Sequence, residues 1–372
     1  MEENKKMKVL LVSPYSKKKV GGIGTWSKLI IDYCINNKKV DLVYQNTSFF
    51  LRGNLHKNMV HRISIGIVDT IVILVKLFFN LLLHRPDTVH YTSSASFALY
   101  RDKIATFIAR KIFKKKFIIH WRFGRIPELC ALKNKEYYLL LNVLNVVSES
   151  IVIDIKSYNT LKRIGMHNVV FIPNPISDQL KHISEQLDIN RLHEKRLSGV
   201  VVFAGHILKS KGVFELVNVC SKMNNVKRLI LIGPCLPSIK DELLTIAKQR
   251  EDGRWLEFTG KLYRENVYEY YQTCSVFALP SHTEGFPNAV LEAMANACPI
   301  VATKVGAIPE MLSDNCGICI DVKDESQLQD SINILLSDNN LAVEMGNNAR
   351  QKVLSNYSLD KVFNQYLNIW KH

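Results

Sequence analysis

The sequence lacks the residue patterns that hold metal ions. No Asp-x-Asp pair occurs, and the eight cysteines are scattered along the chain. Cys316 and Cys319 have the spacing of a zinc or thioredoxin pair, but no second CxxC or histidine pair supplies the four ligands of a zinc site. We interpret them as two small apolar residues flanking a turn. Helix N-termini and basic side chains must then meet any phosphate charge, so we expect neither a metal nor a resident cofactor.

The sequence also lacks a long uninterrupted apolar run. Residues 63–83 form the one candidate membrane span, and Asp69, Thr70, Lys76 and Asn80 interrupt it. A span needs about 20 residues with almost no charge. The segment is therefore predicted to be a helix with a wide apolar face, which either packs in the core or dips into a bilayer surface. No apolar stretch of signal-peptide length follows the first six residues, so we expect no secretory signal and a cytoplasmic location.

Acidic residues are scarce in the first half of the chain. Up to Asp178 there are 28 basic and 12 acidic side chains, a net charge of +16, whereas the remainder has 21 and 22, a net charge of −1. Such a one-sided charge suits an anionic partner such as membrane phospholipid, a pyrophosphate or nucleic acid, and a basic surface without a partner is the alternative. The apolar fraction of 47% and charged fraction of 22% exclude a disordered, fibrous or multi-span membrane protein.

Short apolar runs alternate with amphipathic stretches, which indicates an α/β fold of doubly wound parallel sheets. The proline-containing segment 171–176 interrupts the alternation, so we predict two Rossmann-like domains, residues 1–175 and 176–357, facing each other across a ligand cleft. Residues 358–372 are predicted to end the chain as an amphipathic helix. The predicted strands cover residues 8–13, 40–44, 88–91, 116–120 and 150–154, then 200–204, 228–232, 255–258, 276–279 and 299–302.

The densest chemical signal is PSHTEGFPNAVLEAMA, residues 280–295. A buried strand ends at Pro280, and a helix opens near Pro287, because proline is a favoured residue of the first helical turn. The free N–H groups of Asn288, Ala289 and Val290 are then available to an anion. Glu284 precedes this helix and Glu292 lies about 6 Å further along it, so the two carboxylates can bind sugar and ribose hydroxyls. A surface helix with two solvated glutamates is the alternative.

Three weaker signals accompany this segment. Gly205, His206, Lys211 and Gly212 lie between a predicted strand and a helix, where a lysine can meet a phosphate as a point charge. Gly21 and Gly22 allow close backbone approach to a ligand but lack the third glycine of a dinucleotide fingerprint. His120 ends a predicted strand, so its imidazole is expected to point into the cleft, although a lone histidine is more often structural.

Together these residues resemble the retaining nucleotide-sugar glycosyltransferases of family 4, which have the GT-B fold. The resemblance runs through nearly the whole chain, and its most specific part is EGFPNAVLE, residues 284–292, which resembles the E-x7-E signature. GAIPE, residues 306–310, follows in the expected place, and IPNPI, residues 172–176, resembles the link between domains. Gly21–Gly22, His120 and Lys211–Gly212 match the family's glycine loop, strand-end histidine and phosphate lysine. The family's last helix crosses back to the N-terminal domain.

The resemblance assigns a role to each matching residue. It places Glu292 on the nucleotide ribose, and Glu284 with the backbone of Gly285 and Phe286 on the donor sugar hydroxyls. It also places His120 near the anomeric carbon. His206 stands where the family usually has an arginine, so a one-point imidazole replaces a bidentate fork. The leaving diphosphate is stabilised by Lys211, the Gly21–Gly22 loop and the helix start at Asn288, Ala289 and Val290.

The function implied is that of a retaining, metal-independent hexosyltransferase in bacterial surface polysaccharide synthesis. Its donor is a nucleotide sugar, expected to be UDP-linked, and its acceptor a saccharide, expected to be lipid-linked, with no nucleic-acid partner. Basic residues at 17–19 and 110–116, beside the apolar helix, suit an anionic bilayer and a peripheral location at the inner membrane face. Two alternatives remain open: a nucleotide-sugar epimerase on the same fold, and a basic nucleic-acid-binding protein, which the lack of interleaved glycine and aromatic residues disfavours.

Overall fold

Two six-stranded parallel sheets organise the chain. This computed structural model describes residues 6–15, 22–48 and 59–371, so Gly21 and the lysines at 17–19 lie outside the described residues. The strands are β1 (Lys8–Ser13), β2 (Asp41–Asn46), β3 (Thr88–Ser93), β4 (Lys116–Trp121), β5 (Glu149–Val152), β6 (Val169–Phe171), β7 (Val200–Ala204), β8 (Arg228–Ile232), β9 (Leu256–Gly260), β10 (Val276–Leu279), β11 (Ile300–Thr303) and β12 (Ile318–Ile320).

Helices connect the strands within each sheet, as parallel pairing requires. A π-helical turn covers Ile108–Ile112, and 3-10 turns cover Lys209–Lys211 and Glu251–Gly253. The α-helices are α1 (Gly22–Asn37), α2 (Met59–His84), α3 (Ala98–Phe107), α4 (Ile126–Leu132), α5 (Lys135–Leu144), α6 (Ile155–Arg163), α7 (Asp178–Glu185), α8 (Ile189–Lys195), α9 (Val213–Ser221), α10 (Pro237–Ala247), α11 (Arg264–Thr273), α12 (Asn288–Ala295), α13 (Ile308–Met311), α14 (Glu325–Ser337), α15 (Asn339–Asn356) and α16 (Leu359–Lys371).

The strand orders are β2-β1-β3-β4-β5-β6 and β12-β11-β10-β7-β8-β9, all parallel. The prediction of two Rossmann-like sheets is confirmed. In each order the chain reverses direction across the sheet at one point, beside β1 in the first and between β7 and β10 in the second. Such switch points separate adjacent loops at the carboxyl ends of strands, and ligands bind there in this architecture.

Two three-residue edge strands, β6 and β12, extend the sheets beyond the ten predicted strands. Each pairs with one neighbour, β5 and β11 respectively. Such short edge strands carry little hydrophobic signal. Cys319 lies within β12 and Cys316 is buried, so the CxxC spacing belongs to the entry into an edge strand.

The chain divides into two units, Met1–Pro173 with Val362–His372, and Asn174–Lys361. The division falls two residues before the boundary taken from the sequence. The first unit includes most of α16, whose apolar side chains Val362, Phe363, Tyr366 and Trp370 are at most 1% exposed. Trp370 Nε1 donates to His90 Nδ1 at 2.9 Å, so the end of the chain is held in the core of the first unit.

Helix α2 packs on its sheet through one narrow stripe, in which Asp69, Ile73, Leu77 and Leu81 are buried. Gln45 donates to the backbone oxygen of Ile73 at 2.9 Å. By length and composition alone, Ser64–His84 is apolar enough to cross a membrane, so its polar residues did not by themselves exclude a span. The packed stripe is what ties the helix to the first unit along its length.

Candidate functional site

The loops after β7 and β10 lie side by side because these strands are neighbours at the switch point of the second sheet. His282 donates its backbone N–H to the carbonyl of Ser210 at 2.9 Å, which joins the two loops. Gly212 has a φ of +68°, and a Cβ there would overlap the carbonyl of Pro280. Glycine is thus required where the loops approach most closely.

Lys211 and Glu284 form an ion pair across these loops, with Nζ 2.5 Å from Oε1. Their side chains are 27% and 11% exposed, so the pair is accessible to a ligand but only partly solvated. The sequence singled out both residues separately, 73 positions apart. The tertiary structure places them side by side. A cation that can bind a phosphate therefore lies next to a carboxylate that can accept hydrogen bonds from hydroxyl groups.

A second loop supports the Glu284–Phe286 segment from behind. Ala307 donates its N–H to the carbonyl of Gly285 at 2.8 Å. Gly306 has a φ of +55°, and a Cβ there would overlap the carbonyls of Glu284 and Gly285. The GAIPE segment therefore lies behind the E-x7-E loop and holds its backbone in one shape. Phe286 is buried, with its ring 5.7 Å from that of Tyr357.

Helix α12 begins at Asn288, close to the predicted start, but Pro287 is its N-cap and precedes the first turn. The cap supplies no side-chain hydrogen bond, and N–H groups of a first helical turn have no intrahelical acceptor. Asn174 donates its side-chain amide to Asn288 Oδ1 at 3.1 Å and to the carbonyl of Phe286 at 3.3 Å. The PN segment of the interdomain link thereby positions the helix start. Ala289 is partly exposed and Val290 is buried.

Glu292 lies one turn further along α12, with its side chain 17% exposed. Its Oε1 is 3.8 Å from Nε of Arg264, the first residue of α11. Burial raises the pKa of Glu292 to about 6, and the attraction of Arg264 opposes the shift only partly. The carboxylate is therefore ionised at neutral pH in a poorly solvated position. Arg264 has no motif spacing to the E-x7-E segment, so sequence reasoning missed it.

His206 is exposed and follows β7 on the same loop as Lys211. Lys209, the other base of this loop, lies 2.9 Å from Glu242 and 5.0 Å from the ring centroid of Phe214. Its carboxylate partner is therefore Glu242, whereas that of Lys211 is Glu284. The Lys211–Glu284 pair, the start of α12 and Glu292 are thus the groups that this unit brings to the carboxyl ends of β7 and β10.

His120 differs from its expected position at an open strand end. Its ring is completely buried on β4. Its Nδ1 is 3.1 Å from His90 Nε2, its Nε2 is 3.2 Å from Arg122 Nη1, and the ring packs on Trp26 and Tyr366. The cause is α16, which covers this end of the first sheet. Burial and the neighbouring Arg122 and His90 hold the pKa of His120 well below 6.5, so the imidazole is neutral.

Gly22 is the first residue of α1 and is exposed, whereas Gly21 lies outside the described residues. Among the described residues, no group of three or more His, Cys, Asp and Glu side chains is arranged to hold a metal ion. The first unit has a cavity of about 300 Å³ between β2 and α2. It is lined by Tyr44, Gln45, Asn46, Lys76, Phe79 and Asn80.

Comparisons with known proteins bear on both units. Residues 184–352 match the family model of glycosyl transferases group 1. The capsular polysaccharide biosynthesis glycosyltransferase CapM of Staphylococcus aureus is 29% identical over 201 residues, 49% of this chain and 51% of CapM. The N,N'-diacetylbacillosaminyl-diphospho-undecaprenol alpha-1,3-N-acetylgalactosaminyltransferase of Campylobacter jejuni is 27% identical over 218 residues, 56% of this chain and 53% of that protein. The chain thus spans about half the length of the curated relatives it matches.

Among solved structures, HepE of Anabaena in complex with UDP has a TM-score of 0.71 at 16% identity, over 98% of this chain and 100% of HepE. At this identity the likeness shows the fold, which is GT-B. The family match contains Lys211, Glu284 and Glu292 together with the strands that carry their loops. Residues 184–352, most of the second unit, therefore match the glycosyl transferases group 1 family.

Proposed function

We propose that this protein is a retaining glycosyltransferase that moves a sugar from a UDP-linked donor to a lipid-linked saccharide, without a metal. The observation that carries the proposal is the Lys211–Glu284 ion pair at the mouth of α12, with Glu292 one turn away. The relatives named above support the sugar-transfer class, and the Campylobacter relative is named for transfer to a sugar linked to diphospho-undecaprenol. We place the reaction at the inner face of a bacterial membrane, in surface polysaccharide synthesis.

The diphosphate of the donor binds between Lys211 and the N-terminus of α12. A diphosphate oxygen competes with the Glu284 carboxylate for the Lys211 ammonium, because both are anions that bind the same cation. The freed Glu284 carboxylate then accepts hydrogen bonds from the sugar hydroxyls, beside the backbone of Gly285. Lysine and helix dipole together stabilise the charge on the leaving group, which is usually the largest catalytic term.

Glu292 binds the ribose. Its carboxylate is ionised above a pKa of about 6, and its desolvated oxygens gain strong hydrogen bonds when two ribose hydroxyls replace the distant Arg264 contact of 3.8 Å. Transfer with retention follows from the resemblance, through a front-face route in which the departing phosphate helps to deprotonate the acceptor. His120, enclosed and neutral, supports the strand end without exchanging a proton.

The acceptor saccharide binds in the cavity between β2 and α2. Its lining combines the amide side chains of Gln45, Asn46 and Asn80, which are held in place by hydrogen bonds to neighbouring groups, with the rings of Tyr44 and Phe79. Such a mixture of polar groups and aromatic rings is typical of small-molecule sites. The cavity lies at the carboxyl end of β2, the edge of the sheet where ligands bind in this fold.

The test has two steps. Thermal shifts with UDP, GDP and ADP first identify the base, and UDP is expected to raise the Tm most. Purified enzyme is then incubated with radiolabelled UDP-sugars, with and without a membrane lipid extract. Transfer only in the presence of lipid supports the proposal, whereas conversion of the donor alone indicates an epimerase. A salt-dependent gel shift with DNA or RNA and no response to nucleotides would refute it.

Substitutions assign the site residues. We expect Glu292→Ala to weaken nucleotide binding, and Glu284→Ala to remove turnover while nucleotide binding persists. Glu257→Ala is the matched control, because Glu257 forms an equally short ion pair with Arg228 at the opposite, amino ends of β8 and β9. Wild-type transfer rates in both site variants would show that the assignment is wrong.

A further inference from the structure

Helix α2 has its apolar side outward. Its exposed aliphatic and aromatic side chains have between 36% and 72% of their surface accessible, and they are Ile67, Val68, Ile71, Val72, Val75, Phe78, Phe79, Leu82 and Leu83. Asp69 and Asn80 lie on the opposite side: Asp69 is buried, and Asn80 donates to Gln45 Oε1 at 3.0 Å. A helix that only packed on its own sheet would have the reverse arrangement.

The outward face continues onto the neighbouring helix. Helix α2 connects β2 to β3, and α3 with the π-helical turn connects β3 to β4, so right-handed crossovers place both on one side of the sheet. The rings of Phe78 and Phe113 join them, 5.1 Å apart. Further exposed apolar side chains lie on this second segment: Phe97, Tyr100, Ile104, Phe107 and Ile112. We call these residues, with those of α2, the α2–α3 face.

The charges on the α2–α3 face have one sign. Within residues 64–84 and 97–115 the only carboxylates are Asp69 and Asp102, and both are buried. The exposed charged groups are lysines, namely Lys76, Lys103, Lys111 and Lys114. Lysines between apolar side chains can extend toward phosphate groups while their methylene chains lie on apolar surface. A soluble protein rarely exposes an apolar patch of this extent, and a basic one without carboxylates complements an anionic surface.

We propose that the α2–α3 face lies in the surface of an anionic bilayer, with the axis of α2 along the membrane plane. A spanning orientation is excluded because the stripe from Asp69 to Leu81 packs on the sheet of the first unit. An interfacial helix buries one apolar face among the acyl chains and keeps its other face on the protein. The role in delivering a lipid-linked acceptor rests on the proposed function, since Lys76 and Phe79 belong both to this face and to the acceptor cavity. The proposed binding to lipid is independent of that function.

Flotation of the full chain with vesicles tests the proposal. One set of vesicles is pure phosphatidylcholine, and the other contains equal parts of phosphatidylcholine and phosphatidylglycerol. We expect binding to the anionic vesicles that weakens with salt, and little binding to the neutral ones. Lys103→Gln, Lys111→Gln and Lys114→Gln together should weaken it roughly a hundredfold, at about fivefold per lysine. The control triple, Lys195→Gln, Lys227→Gln and Lys248→Gln, changes exposed lysines of the second unit and should bind normally.

The apolar contribution is tested separately. Ile71→Asn, Val75→Asn and Leu82→Asn lie on one exposed stripe of α2, outside the acceptor cavity, and together should reduce binding by about tenfold or more. Leu197→Asn, Val322→Asn and Ile334→Asn are matched exposed positions of the second unit. The Tm and its shift with UDP, measured in every variant, keep loss of folding and failure of the proposed donor site distinguishable from loss of lipid binding.

Two results would overturn the proposal. One is equal, weak flotation of the wild-type chain with both kinds of vesicle. The other is a wild-type dimer in sedimentation that the α2 triple variant dissociates while vesicle binding is absent, because the face would then be covered by a second copy of the chain.

Discussion

Replacement of Glu292 by glutamine should stabilise the protein while it damages the site. Burial raises the pKa of this carboxyl from 4.5 to about 6. A native pKa above the unfolded one means that ionisation is disfavoured in the folded state, so the free energy of unfolding falls as the pH rises from about 4.5 to about 6. The penalty at pH 8 is on the order of 2 kcal/mol, at 1.36 kcal/mol per pKa unit. Glutamine keeps the shape and removes the charge.

The expected result is a Tm of Glu292→Gln that exceeds the wild-type value by several degrees at pH 8, since about 1 kcal/mol shifts a domain of 150–250 residues by roughly 2–4 °C. The difference in free energy of unfolding between the variant and the wild type should shrink to about 0.8 kcal/mol at pH 5, where the native wild-type carboxyl is mostly protonated. Affinity for UDP should fall in the variant at pH 8. In the wild type it should fall about tenfold between pH 7.5 and pH 5, as the ionised fraction drops.

Melting curves over this pH range, with and without UDP, provide the measurement. Glu257→Gln is the control of opposite sign, because the hydrogen bond from Arg228 lowers the pKa of Glu257 and its removal cannot stabilise the protein at pH 8. A Glu292→Gln protein that melts below the wild type at pH 8, or a difference that does not change with pH, would refute the reasoning.

Three further predictions concern the supports of the site. Lys211→Met should reduce transfer by about 10²–10³-fold, while Lys209→Met, whose partner is Glu242, leaves the rate near wild type; equal losses in steady-state assays would contradict the assignment. Gly306→Ala should lower both Tm and UDP affinity because the new Cβ overlaps the Glu284–Gly285 backbone, whereas Gly66→Ala, with open space around it, should be neutral or stabilising by thermal melting. Since its pKa is held well below 6.5, His120 should produce no inflection in the rate between pH 6 and 8, and a step there that His120→Gln removes would show that the ring is open to solvent.

The sequence by itself determined the two parallel sheets, because strands buried on both faces read as continuous apolar runs. It also located the start of α12 to within about one residue, because the fixed φ of Pro287 suits the beginning of a helix. The candidate residues Lys211, Glu284 and Glu292 came from local chemistry of the same kind. In each case a few neighbouring residues determine the feature, so it can be predicted from hydrophobic periodicity or from the residue types of a turn.

Only the tertiary structure decided which distant groups meet. The pairing of Lys211 with Glu284, the approach of Arg264 to Glu292 and the enclosure of His120 by α16 all join segments far apart in the chain. The side of α2 that faces the sheet was likewise decided by tertiary contacts. The periodicity of α2 predicts a wide apolar face, but it does not show whether that face packs on the sheet or is exposed. Gln45 hydrogen-bonds to Asn80 and to the backbone of α2, and Asp69 and Leu77 are buried on the same side of the helix. The wide apolar side of α2 is therefore exposed. Contacts between remote segments leave no local pattern, because each partner is an ordinary residue until the fold brings the other to it.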